Sequence, residues 1–582
     1  MTQNEQSFDV VVVGSGAGAM TAALRAHDLG LSVVVLEKMP VYGGTSAISG
    51  GGIWIPANPG MAEAGLQDSF EEGMTYVKAA TRGEVPEEKL EAYLRTGPEM
   101  LRWLKEKAGV VFLSVNAYPD YYPHLPGYKP GGRTMEPDFF HAAKLGAEFE
   151  RLNSPASATL VFGRFSMSQK EGGIMFSRAP GWPWVALRMM LRYWLDIPGR
   201  LKSKRDRLLT LGNAMIAALR RAMMDRSIPL WLNTPFRVLI AENGRVVGVE
   251  ADENGRTLTL RARLGVILAA GGFEGNQAMR ERYLPKPTKA AWSAAMPQNK
   301  GEAIEAALAL GAATEFTDIA WWTPTIAVPG QDRQWGVLVE RSLPGCVIVN
   351  ALGQRFANEA EPYLEFGNHM YEDHARTGGA NVPCYVVFDA TFRHKYMFGP
   401  LMPGQFRPDS VLPPDWEGKV YWKADTLEGL AQQVGINAHG LKESIAKNNA
   451  YAKTGKDLDF DKGGNVYDRY YGDRTVKPNP CLAPVEKAPF YAMRLDAGDI
   501  GTKGGLKADK EARVLDGSGR AIPGLYAIGN CSGSVMGRAY PGPGSTIGPA
   551  MVFGYRAANQ IAAEKQAAAK PAPAARITTA AE

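Results

Sequence analysis

Apolar residues near the start of the chain form an almost unbroken β-branched run, Phe8 to Val13, which gives way to GSGAGA at Gly14 to Ala19. In the following MTAALRAHDLG the apolar spacing is helical and stops at Gly30, and SVVVLEK then reads as a second buried strand. Strand, glycine turn, helix and a strand ending in an acid, within about thirty residues, predict a βαβ unit that holds a dinucleotide. Gly14 permits the tight turn and Gly16 lets the backbone approach a pyrophosphate. Ala17 and Gly18 belong to the same glycine-rich turn and are expected cofactor contacts, and Ala19 replaces the third glycine where helix meets strand. Glu37, with Lys38 beside it, stands where a carboxylate accepts from ribose hydroxyls.

Further on, FRVLIAENGRVVGVEADENGRTLTLRARLGVILAAGG alternates around two Asn-Gly turns. The pattern predicts a hairpin followed by one fully apolar strand whose end, Ala269 to Gly272, meets a ligand. RVLDGSGRAIPGLYAIGNCSG repeats the logic, a strand running into Gly529-Asn530, and YPGPGSTIGPAMVFGYRAAN opens a helix whose N-terminal N–H groups suit a flavin edge or its phosphates.

Length and composition narrow the class. At 582 residues, with 45% apolar and 21% charged residues and 65 glycines, this is an α/β protein of two or three domains rather than a disordered chain. The four cysteines, Cys346, Cys384, Cys481 and Cys531, make no CxxC pair, which argues against a metal site, a cluster or a disulfide framework and for a reducing, cytoplasmic compartment. Neither a secretory signal nor a charge-free spanning stretch is present. Net charge is +5, yet Arg178 to Arg207 alone carries eight Lys/Arg against Asp196 and Asp206; that segment is +6 and the remainder −1. A nucleic-acid partner is therefore unsupported.

The order of these motifs resembles the fumarate reductase/succinate dehydrogenase flavoprotein superfamily over nearly the whole chain. Within it the sequence looks most like the 3-ketosteroid Δ1-dehydrogenases, including a cholest-4-en-3-one type with a membrane-associating insertion. GGTSAISGG (Gly43 to Gly51), RFANEAEPYLEF (Arg355 to Phe366), GTKGGL (Gly501 to Leu506) and RAYPGPGSTIGPAM (Arg538 to Met551) carry the match. The resemblance implies a discontinuous Rossmann-like FAD-binding domain, residues 1–317 and 491–565, with an inserted α+β substrate (capping) domain at 318–490. A low-complexity tail at 566–582 is expected to be disordered. It also implies cofactor contacts from Gly43, Gly44, Thr45, Ser46, Ser49, Gly50 and Gly51, from Ala270, Gly271, Gly529 and Asn530, and from Ser545 and Ile547.

One dinucleotide fingerprint leaves no second one for a nicotinamide, so electrons are expected to leave to an external acceptor, a quinone or similar. No histidine lies between His27 and His124, where the related covalent flavins have their tether, so FAD is expected to be noncovalent. Gly501-Thr502-Lys503-Gly504-Gly505 stands where fumarate reductases have an HTMGG-like motif with a dicarboxylate-binding histidine, and the dicarboxylate site is missing. Tyrosines stand out instead. Removing two hydrogens beside a ketone needs donors on the ketone oxygen and a base on the carbon. By the resemblance the donors are the Tyr540 hydroxyl and the Gly544 N–H, and the base is Tyr363 as tyrosinate. Tyr121 assists and Tyr118 forms a pocket wall, with the choice among Tyr118, Tyr121 and Tyr122 left open. A phenol titrates near about 10, so its surroundings must lower it or activity must rise with pH. A steroid Δ4-dehydrogenase, another cyclic-ketone flavoenzyme, or an electron-transfer subunit docked on a membrane partner are the competing readings. Oligomeric state is not legible.

The segment RAPGWPWVALRMMLRYWLDIPGRLKSKRDR puts Trp184, Leu187, Leu191, Trp194 and Leu195 on one side of a predicted helix ended by Pro198-Gly199, and Arg188, Arg192 and Asp196 on another. Such a stripe packs on a core, on a second subunit, or on a bilayer. Three tryptophans beside a basic run point to an anionic membrane surface and to peripheral association without spanning.

Overall fold

Two sheets organise the residues that the structure, a computed structural model, describes: 5–201 and 203–569. The first begins with strand β1 (Glu5–Val13), helix α1 (Ala17–Asp28) and strand β2 (Val33–Leu36). Val10 and Val12 pack under α1, whereas Val11 and Val13 face a second core with Phe273 and Met279. Burial on both faces explains why β1 reads as a continuous apolar run rather than an alternation. β1 pairs in parallel with β2 on one side and with Arg256–Leu268 on the other. The far edge of Arg256–Leu268 is shared: its first half pairs antiparallel with Arg245–Glu253, its last three residues in parallel with Ala521–Ala527.

This differs from the expected hairpin plus separate strand. Phe236–Glu242, Arg245–Glu253 and Arg256–Leu268 form a meander, and the last of them runs unbroken for 13 residues from the second Asn-Gly turn into the apolar core. The polar half of that strand is read by one neighbour and the apolar half by another, which a single periodicity does not reveal.

The second sheet is six-stranded. Ala320–Ile326, Phe490–Thr502, Cys384–Phe388 and Cys346–Val349 are its successive core strands, all antiparallel. Phe490–Thr502 lies on the C-terminal side of the boundary expected at 490 and returns the chain toward the first sheet. Helix Tyr363–Arg376 packs on Ala320–Ile326, and the C-terminal helix, Ile547–Ala569, packs on α1. That helix runs into the stretch from 566 expected to be a tail; 570–582 lie outside the described residues.

The helix of the basic segment spans Trp182–Trp194, ends earlier than Pro198-Gly199, and is followed by a short helix, Ile197–Arg200, that contains both. The helix is fastened to the protein through Met189 and Tyr193, which pack with Phe165. Trp184 (66% exposed), Trp194 (52%) and Leu195 (71%) face solvent, as do Leu187 and Leu191. Arg192 and the exposed Arg188 both pair with the buried Glu171, and Arg207 and Arg200 pair with Asp196. No helix among the described residues is long and apolar enough to cross a membrane.

Candidate active site

The carboxyl ends of β1, β2, Arg256–Leu268 and Ala521–Ala527 open onto one cavity of about 700 Å³, where ligands bind in open α/β sheets. Gly14, Gly16, Ala17, Gly18, Ala19, Glu37, Lys38, Ala270, Gly271, Gly529 and Asn530 all line it. Gly14 has φ +106°, and a Cβ there would lie 2.4 Å from the Ala269 carbonyl oxygen, so a side chain is excluded. Glu37 is buried and accepts from Ser15 Oγ at 2.5 Å and from the Met39 N–H at 2.9 Å; burial raises its carboxyl above the usual range. Lys38 is engaged with Glu302 at 2.7 Å.

The segment 43–51 folds over the same cavity. Ser46 Oγ accepts from the Ala17 N–H, Thr45 Oγ1 accepts from Asn299 Nδ2, and Ser49 Oγ accepts from the Gly51 N–H. Gly44, Thr45, Ser46, Ser49, Gly50, Gly51 and Ile547 line the cavity; Gly43 and Ser545 do not. Gly43 donates its N–H to Ser15 Oγ, and Ser545 Oγ donates back to the Gly542 carbonyl, so each shapes a turn behind the wall. Ser15 therefore braces both Glu37 and Gly43, a role its place as the variable residue between two glycines does not signal.

At the other end of the cavity stand Tyr118, Tyr121, Tyr363, Tyr540 and Gly544. Tyr363 is the first residue of its helix, directly after Pro362, whose fixed φ suits a helix start. The loop bearing Tyr121 is pinned by Asp120, which accepts from Trp54 Nε1 (2.7 Å), Arg133 Nη1 (2.8 Å) and the Lys129 N–H (2.9 Å). Tyr121 stacks on Tyr540 with ring centroids 5.1 Å apart and meets Tyr363 edge-on at 5.8 Å; Tyr363 and Tyr540 are 5.2 Å apart. Burial raises the Tyr540 hydroxyl above the ordinary phenol range, while the neighbouring Tyr363, Thr546 and Gly544 N–H work against that rise. Gly544 has φ +102°, and a Cβ there would sit 2.5 Å from Ile53 Cα.

The three neighbouring tyrosines separate cleanly. Tyr121 touches Tyr363 and Tyr540, Tyr118 stacks on Tyr470 (4.7 Å) one layer back, and Tyr122 turns away to donate to Glu365 at 2.5 Å. Tyr467, absent from the sequence reading, packs 4.8 Å from Tyr121, and Tyr471 stands edge-on to Tyr118. Their cluster, VYDRYYG, carried one visible signal, three tyrosines in five residues.

Burial, above all, raises the Tyr363 hydroxyl well above the ordinary phenol range, and Tyr540 adds to the effect, while the Tyr121 hydrogen bond works against it. Tyr121 and Tyr118 are raised likewise by burial. Burial outweighs what lowers Tyr363, so a standing tyrosinate is not what these surroundings favour.

The FAD binding domain family matches residues 9–547, so the chain belongs to that family of flavoproteins. It is 42% identical over 576 residues to a 3-oxosteroid 1-dehydrogenase of Mycolicibacterium smegmatis, covering 97% of this chain and 99% of that one. A 4-oxocyclohexanecarboxylate 2-dehydrogenase of Sinomonas cyclohexanicum is 37% identical, covering 96% and 93%. The crystal structure of 3-ketosteroid delta1-dehydrogenase from Sterolibacterium denitrificans in complex with 1,4-androstadiene-3,17-dione superposes with a TM-score of 0.94 at 59% identity, covering 96% of this chain and 100% of that one. Two of these three relatives, those of Mycolicibacterium smegmatis and Sterolibacterium denitrificans, are steroid Δ1-dehydrogenases.

Proposed function

We propose that the chain is an FAD-dependent 3-ketosteroid Δ1-dehydrogenase, converting a 3-keto-4-ene steroid to the 3-keto-1,4-diene. The observation that carries this is the single cavity in which a dinucleotide cradle and the Tyr121, Tyr363 and Tyr540 cluster meet. The side-chain-free turn at Gly14 and the buried Glu37 fit the cofactor's pyrophosphate and ribose, and the 43–51 segment, lacking histidine, offers no tether, so FAD is held noncovalently. When bound, FAD supplies the hydride acceptor.

The chain's own residues do the rest. Tyr540 O–H and the Gly544 N–H turn from each other to the ketone oxygen, where the charge of an enolate develops. Tyr363 takes the proton from the carbon beside the ketone. Because burial keeps its phenol protonated, Tyr363 acts as base only after yielding that proton to solvent hydroxide as water, which ties the step to pH. Apolar walls from Phe176, Leu338 and Met397 exclude water. The first sheet serves as a Rossmann-like FAD domain, the segment 318–490 as the substrate cap, and the electrons pass to an external acceptor.

The outward apolar face of Trp182–Trp194 supports peripheral association with an anionic membrane surface. The alternative of packing on the protein's own core loses its support, because the stripe faces away from that core.

Anaerobic mixing of the purified holoprotein with a 3-keto-4-ene steroid tests the activity. Bleaching of the oxidised flavin absorbance and recovery of the 1,4-diene are expected. Bleaching by a monocyclic oxocyclohexane carboxylate but not by the steroid would shift the assignment to a smaller cyclic ketone.

A further inference from the structure

We infer that Tyr122 and Lys503 are positioning residues that clamp the peptide unit preceding Tyr540 and so aim its hydroxyl at the ketone; the inference rests on the proposed role of Tyr540. The peptide linking Ala539 to Tyr540 is held at both polar ends by side chains from distant parts of the chain. Its N–H donates to the Tyr122 hydroxyl at 2.8 Å. Its carbonyl, that of Ala539, accepts from Lys503 Nζ. Two residues on, the Pro541 carbonyl accepts from Tyr76 O–H at 2.7 Å and from the Tyr121 N–H at 2.9 Å.

Both clamps are costly to place. Lys503 is fully buried at the end of Phe490–Thr502, its ammonium 3.8 Å from the Trp321 ring centroid, and burial holds its pKa well below the ordinary lysine value. A buried amine lowers stability unless something compensates. Here its charge also bears on the ring that stands edge-on to Tyr540 at 4.9 Å. Tyr122 in turn donates to Glu365, two residues after Tyr363 on the same helix. Glu365, Tyr122 and the Tyr540 N–H therefore form a bridge from the helix that carries the proposed base to the loop that carries the proposed ketone donor. A ruler of this kind fixes the separation of base and donor, and a shift of about 1 Å in such a separation costs as much as a hundredfold in rate.

The test is a double-mutant cycle on the holoprotein, using Tyr122→Phe, Lys503→Met, Tyr540→Phe and the two pairwise combinations with Tyr540→Phe. Flavin reduction by a 3-keto-4-ene steroid is read together with FAD content and steroid affinity. Tyr122→Phe should slow reduction about tenfold or more while changing affinity far less. In the Tyr540→Phe background the same change should cost less than about twofold, because the group it aims is gone. Effects that multiply in full would overturn the inference, as would wild-type reduction by Tyr122→Phe. If Lys503→Met does not accumulate as folded holoprotein, the Tyr122→Phe cycle decides alone. Undiminished turnover by Tyr540→Phe would instead remove the role of Tyr540, a failure distinct from additivity.

Discussion

Tyr363 is a phenol whose burial opposes its ionisation, and two predictions turn on that. Tyr363→Phe keeps the ring and loses the proton-accepting oxygen; it should retain FAD and steroid binding and lose nearly all flavin reduction in stopped-flow mixing. The pH dependence has a definite sign. A phenol raised above its usual value loses its proton only in strong alkali, so the rate of flavin reduction should climb with pH without a plateau below about pH 10. A plateau near neutrality would mean that burial does not dominate the titration of Tyr363 in the working enzyme. Tyr540→Phe removes one of the two proposed donors to the ketone oxygen and should slow reduction about a hundredfold or more. At this scale the sequence was readable where a family motif surrounds the residue, as for Tyr363 and Tyr540. It was silent for Tyr467 and for what Tyr122 and Lys503 touch, because those contacts join separate parts of the chain and no local spacing encodes them.

Among elements, the βαβ start was legible to within a residue or two, since a doubly buried strand, a glycine turn and a helix each leave a separate mark. The glycine turn yields a prediction of its own. Gly14→Ala forces a Cβ toward the Ala269 carbonyl at a left-handed φ, so the variant should purify with little or no flavin. Normal flavin content, read as the flavin-to-protein absorbance ratio, would mean that the turn relaxes without cost. The helix Trp182–Trp194 was legible as amphipathic but not in its orientation. Periodicity says that two faces differ; it does not say which one meets the protein, and here Glu171 captures the arginine face and leaves tryptophan outside. The basic run also loses force as a membrane anchor, because Arg178, Arg188, Arg192, Arg200 and Arg207 all pair with carboxylates. Binding to liposomes should therefore depend more on apolar burial than on charge. Deleting residues 182 to 205 should abolish co-sedimentation, and high salt should weaken it less than eight basic residues would suggest. Equal sedimentation of the deletion variant would assign the face to another partner.

For the molecule as a whole, the cavity joins parts that the chain order separates: the turn after β1, the 43–51 segment, Asn530 and the start of the last helix. A ligand bound only by the folded state raises its stability by mass action. Removing FAD should thus lower the thermal midpoint, and adding it back should restore the midpoint in a concentration-dependent way. Acid precipitation should release intact FAD into the supernatant; flavin left on the polypeptide would contradict noncovalent binding.

The exposed tryptophan face has a kinetic consequence as well. An enzyme docked through Trp184, Trp194 and Leu195 samples substrate by its density in the lipid rather than by its amount in the vessel. Its kinetics become those of a surface. Diluting a fixed quantity of steroid with empty vesicles should slow turnover although the total concentration is unchanged, and enriching the same vesicles should restore it.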